Sequence, residues 1–178
     1  MTIRSILVLP ALLLCAQGFA AEPTTGPLIE GYGASLVIED ADVALPANHE
    51  YKVVFELTGY DGQPDSLNRG LDRVARFMNL HAKNGVPAEN IQSAVVLHGA
   101  ALINALNDES YTRRFNVANP NLELLERLAD AGVDFFVCGQ SMGFREFGKN
   151  ELAAPVKMAP SALTMVHLLQ DEGFTLQP

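Results

Sequence analysis

Cysteine is scarce: the chain has two, Cys15 and Cys138, and only the second lies in the body of the sequence. One thiol cannot close an intrachain disulfide. In an oxidising compartment Cys138 is therefore a free thiol, an intermolecular partner or a buried inert residue. Positive charge is scarce as well, with 12 Lys and Arg against 21 Asp and Glu and a net charge of −9. Phosphate binding needs a basic patch, yet the only close cluster here is Arg113 and Arg114, so nucleic acid is excluded as a partner. Beyond the N-terminus no apolar run is long enough for a membrane span. The spacings H-x-E-H, C-x-x-C, G-x-S-x-G, the P-loop and G-x-G-x-x-G are all missing. Gly31 and Gly33 form a lone G-x-G ahead of the first strand, where a dinucleotide fingerprint does not belong. No metal and no cofactor are expected.

What is present divides into three parts. Arg4 gives the first twenty residues a positive start, Ile6 to Leu14 is apolar apart from Pro10, and Gly18 and Ala20 supply small residues at a cleavage site. This is the anatomy of a signal peptide over residues 1–20, which makes the protein periplasmic or secreted. Leu14 argues against lipid attachment at Cys15, since a small residue normally precedes such a cysteine. Cleavage would remove Cys15 and Arg4, taking the charge from −9 to −10. Residues 21–50 read as an N-terminal extension punctuated by Pro23, Gly26, Pro27, Gly31, Gly33 and Pro46, with one short strand at Ser35 to Glu39. The remainder, 51–178, is one domain, and 48% apolar with 19% charged residues is a globular composition.

Within that domain strand-like and helix-like segments alternate. Tyr51 to Thr58 is β-branched and aromatic. Leu67, Leu71, Val74 and Met78 form one helical face, started by Asp65 or Ser66 and ended by Asn84-Gly85. Ser93 to Leu97 is a second strand ending at His98-Gly99. Ala100 to Leu106 is helical, and a polar segment runs on to Asn119. Leu122, Leu125 and Leu128 mark a further helix, and Val133 to Val137 a third strand ending at Cys138. Gly139 to Pro155 reads as irregular, Val156 to Met158 as a fourth strand, and a last helix follows Pro160, with Gly173 closing it before Phe174 to Leu176. Such alternation implies an open α/β fold: a mainly parallel sheet of four to five strands with right-handed crossovers.

In open parallel sheets functional groups gather beyond the carboxyl ends of the strands. His98 and Cys138 fall there by register. If their strands are neighbours, an imidazole and a thiol share one crevice, and the thiolate is the nucleophile. Gly99 adjoins the histidine. Gly139 allows a tight turn, and Gln140 and Ser141 offer donors to an anion or thiolate. The competing reading is that Cys138 is a small buried hydrophobe in a non-catalytic binding module. His49, His81 and His167 read as structural or exposed.

The segments YKVVFELTG, LNRGLDRVARFMNLHAKNGV, SAVVLHGAAL, NLELLERLADAGVDFFVCGQSM and LLQDEGFTLQP, in that order, resemble the DsrE/DsrF-like family of sulfur-relay and intracellular sulfur-oxidation proteins. The resemblance covers Tyr51 to Pro178. It implies a three-layer, flavodoxin-like fold with helices on both faces of the sheet, assembled as trimers or hexamers. It also implies a cysteine that carries sulfur as a persulfide, and Cys138 occupies that position. The partner would be a sulfur-carrying protein or a small sulfur compound. The extension before His49 resembles the exported branch of the family.

The signal-peptide reading makes the first prediction. Protein recovered from outside the cytoplasm of its native host should begin near Ala21; N-terminal sequencing that finds Met1 intact would refute it.

Overall fold

A computed structural model describes residues 22–60 and 62–177. The twenty residues read as a signal peptide, Cys15 among them, lie outside the described residues. Five strands form the sheet: β1 (Tyr51–Leu57), β2 (Ile91–Leu97), β3 (Asp134–Cys138), β4 (Val156–Ala159) and β5 (Thr175–Gln177). All pair in parallel, in the order β4-β3-β2-β1-β5. The helices are α1 (Arg69–Lys83), α2 (Asp108–Phe115), α3 (Leu122–Asp130), α4 (Gly139–Phe144) and α5 (Ala162–Asp171).

Strand alternation splits the core in two. Val53, Phe55, Leu57, Val95, Leu97, Phe135 and Val137 point to one face and pack on Leu71, Val74 and Met78 of α1 and Leu124, Leu125 and Leu128 of α3. Val54, Ala94, Val96 and Cys138 point to the other and meet Ala162, Val166 and Leu169 of α5. The connection after β3, carrying Met142 and Leu152, stays with the first core, whereas the connection after β4 crosses to the second. This three-layer α/β arrangement agrees with the fold class read from the sequence.

Several local expectations are corrected. Ser35 to Glu39 is not a strand; only Ser35 makes an isolated antiparallel bridge, to Thr24. Neither Asp65 nor Ser66 caps α1. Asn68 does, accepting from the Leu71 amide at 3.1 Å. Ala100 to Leu106 winds as a 3₁₀ helix, Gly99–Ala105. The polar stretch to Asn119 contains α2, which Asn107 caps by accepting from the Ser110 amide at 2.8 Å. Gly139 to Pro155 is not irregular: α4 begins at Gly139 itself, and Lys149–Glu151 forms a 3₁₀ turn.

The extension is bound along α1. Asn79 of that helix is fully buried and works as a two-way clasp. Its Oδ1 accepts from the amides of Leu28 (3.1 Å) and Ile29 (2.8 Å), and its Nδ2 donates to the carbonyls of Ile29 and Tyr32, both at 3.0 Å. Ile29 is thereby sunk into the first core. Gly33, at φ +60°, passes so close to α1 that a Cβ would lie 2.2 Å from the Arg76 amide nitrogen. Its amide donates to Asp72 at 2.7 Å, and Lys83 ties Thr24 to Ser35.

Asn79→Ala would leave the buried Ile29 amide and the half-buried Leu28 amide without an acceptor. The expected loss is about 3 kcal/mol of unfolding free energy, measured by urea denaturation, with the extension becoming the first site of proteolysis.

Candidate functional site

The neighbouring strands β2 and β3 pair Leu97 with Val137. One step further along that register stand His98 and Cys138, on the sheet face that α5 covers. The sequence thus brought the two residues to adjacent strand ends, but their partners are not each other. The Nε2 of His98 lies 2.9 Å from Oε1 of Glu56, on β1. Glu56 also lines a cavity of about 310 Å³ at the end of β1, with Thr58, Gly59 and Arg73 among its walls.

Cys138 is 6% exposed and is the free cysteine among the described residues. An open crevice was the expectation; the sulfur is instead covered by α5 and surrounded by Ala94, Val96 and Val166. Burial alone pushes its thiol up. The amide and hydroxyl of Ser141 and the amides of Ala162 and Gln140 act against burial, and the net result lies below the ordinary thiol range. These donors come from two helices. Cys138 is the residue before α4, so Gln140 and Ser141 present free first-turn amides, while Ala162 opens α5 after its cap Ser161. The sulfur makes no ordinary capping hydrogen bond to α4. The amides are therefore weak partners of the neutral thiol and stronger partners of the anion.

Two glycines serve this geometry. A Cβ on Gly139 would stand 2.8 Å from the carbonyl oxygen of Ala159, so only glycine lets α4 start against the end of β4. The amide of Gly99 donates to the Ser141 hydroxyl oxygen at 3.2 Å, which leaves the hydroxyl proton free to face the sulfur. The Gln140 side chain turns away and donates to the Pro160 carbonyl at 3.3 Å. Among the described residues no group of three His, Cys, Asp or Glu is arranged to hold a metal ion, and no helix is long and apolar enough to cross a membrane.

A model of the DsrE/DsrF-like family matches residues 50–178. The chain belongs to that family. A solved structure of a protein of unknown function from Methanobacterium thermoautotrophicum aligns with a TM-score of 0.55 at 20% identity, over 71% of this chain and 97% of that one. At that identity the likeness bears on the fold alone. No curated protein matches the chain.

Two contributors escaped the sequence reading. Glu56 is the one acidic residue in the strand YKVVFEL, near its carboxyl end, and that position was its only signal. Ala162 acts through its backbone, which leaves no mark on residue identity beyond the helix start after Pro160.

Alkylation of Cys138 should follow a pH profile whose midpoint lies below that of a free thiol. Ser141→Ala removes a donor to the anion and should move that midpoint upward. A profile unchanged by Ser141→Ala would show that the hydroxyl does not act on the sulfur.

Proposed function

We propose that this DsrE/DsrF-like protein is exported and carries sulfane sulfur on Cys138 as a persulfide. The observation that supports this reading is the place of Cys138 at the starts of both α4 and α5, where the Ser141 amide and hydroxyl and the Ala162 and Gln140 amides lower the thiol in spite of burial. A packed structural cysteine gains nothing from donors that prefer its anion. In the reaction the thiolate attacks the outer sulfur of a donor R–S–SH. A bond forms between Cys138 and that sulfur, the donor's S–S bond breaks, and R–S⁻ leaves with the bonding pair. Delivery to an acceptor thiolate is the same exchange in reverse, with no net oxidation. The donors that hold Cys–S⁻ also suit Cys–S–S⁻, so loading does not strand a negative charge in an apolar site. The partner is a sulfur-carrying protein or a small sulfur compound. The working form is a homo-oligomer, a trimer or a multiple of three, as family membership suggests.

The low exposure of Cys138 favours a second reading, an oligomeric module that binds a small ligand or partner while the cysteine merely packs. Mass spectrometry separates the two. After incubation with a polysulfide donor, the wild-type subunit should gain the mass of one sulfur atom, reversibly with a thiol reductant, and Cys138→Ser should gain none. Native spectra of the same sample should show an assembly of three subunits or a multiple. A wild-type subunit that takes up no sulfur, with a thiol that alkylates only in denaturant, would leave the binding module as the answer.

A further inference from the structure

We propose that Glu56 is a positioning residue that fixes the tautomer of His98 and so equips it as the proton carrier for Cys138. The proposal rests on the reading of Cys138 as a sulfur carrier and adds a residue that neither the sequence motifs nor the family match assigns.

Glu56 is paired with Val96, and Val96 with Phe136, across three adjacent parallel strands. Glu56 alternates with Phe55 and Leu57, which face the first core, so its carboxylate stands on the opposite face. His98 and Cys138 are two residues beyond Val96 and Phe136 and share that face. Carboxylate, imidazole and thiol therefore follow one another across β1, β2 and β3, with neighbouring strands about 4.8 Å apart.

Hydrogen-bond chemistry supplies the next step. A carboxylate only accepts, so the 2.9 Å contact requires a proton on Nε2 of His98. In the neutral ring Nδ1 is then the unprotonated nitrogen and the base. Each side chain of the pair is 27% exposed, so the bond is sheltered enough to orient the ring and open enough for exchange with solvent. As Cys138 releases its proton and attacks the outer sulfur of the donor, Nδ1 takes that proton and returns it to the departing thiolate. The sum is Cys138–SH plus R–S–SH giving Cys138–S–SH plus R–SH. Without Glu56 the ring divides between tautomers and rotamers, and only a fraction presents the base.

The test uses the whole protein and two readouts that need no sulfur donor: heteronuclear NMR of the His98 ring nitrogens and the rate of Cys138 alkylation by iodoacetamide. The neutral ring of the wild type should be the Nε2–H tautomer. Glu56→Ala should give a mixture and slow alkylation about tenfold, less than the roughly 10²–10⁴-fold of losing an acid–base group outright, because the ring itself remains. Glu56→Asp should restore part of both. In the His98→Ala background Glu56→Ala should cause no further loss, because the carboxylate acts through the ring. If Glu56→Ala fails to fold, Glu56→Leu keeps the bulk, removes the acceptor and carries the same comparison. An unchanged tautomer, or a loss that persists without His98, overturns the proposal. Failure of the wild type to accept polysulfide sulfur while these shifts hold would overturn the carrier reading alone.

Discussion

The site depends on one crossing of the chain from one face of the sheet to the other. The connection leaving β3 packs with the first core and the connection leaving β4 with the second, so β3 and β4 send their following helices to opposite sides. Between strands whose connections diverge in this way, two helix starts come together at the carboxyl ends of a parallel sheet, and here they close over the sulfur. Cys138 is the last residue of β3 and pairs with Ala159, the last of β4. The first turns of α4 and α5 therefore start on either side of one sulfur. Each helix must leave its first amides without intrahelical partners, and here the amides of Gln140, Ser141 and Ala162 act on a thiol without an ordinary capping bond to it. Gly139 makes the crossing possible, since any Cβ there would collide with the β4 carbonyl that α4 must approach.

The remaining strand ends are held by side-chain amides rather than by apolar packing. Asn121 accepts from the Asn68 amide at 2.7 Å and donates to Oδ1 of Asn104 at 3.1 Å, while Asn119 donates to the carbonyls of Asn104 and Leu106. All four asparagines are buried. Such a network ties the start of α1 to the 3₁₀ segment after β2 and to the start of α3. It is tolerable in a core because donors and acceptors are matched. Asn79 does the same for the extension on the outer side of α1.

The sequence was most legible where burial imposes a period. Val53 to Leu57, Val95 to Leu97 and Phe135 to Cys138 are strands because a sheet covered on both faces needs continuous apolar runs. Leu71, Val74 and Met78 gave α1 for the corresponding helical reason. Short elements were not legible. The α4 segment GQSMGF has two glycines and buries only Met142, so no period marks it; its place is set by the end of β3. Likewise α2 buries only Ser110 and Tyr111 and reads as a polar loop. The segment Ser35 to Glu39 has strand composition, but Leu36 to Glu39 are exposed and only Ser35 finds a partner, Thr24. At the site, strand-end position marked Cys138 and His98 as candidates. It did not reveal that the donors to the sulfur are mostly backbone.

The buried sulfur and its donors answer to the same physics with opposite signs. Removing water raises the free energy of the thiolate, yet it also lowers the local dielectric and strengthens every dipole aimed at the anion. Burial without donors would give an inert thiol, and donors without burial would be screened by water. Cys138 has both, and the net effect holds its thiol below the ordinary value. Ser141 shows why the balance is fine: it contributes an amide and a hydroxyl, and the hydroxyl is oriented only because Gly99, one residue past His98, donates to its oxygen. The turn after β2 therefore does more than end a strand. It carries the imidazole that bonds Glu56 and the amide that donates to the Ser141 hydroxyl oxygen, so the surroundings of Cys138 depend on the end of its neighbouring strand.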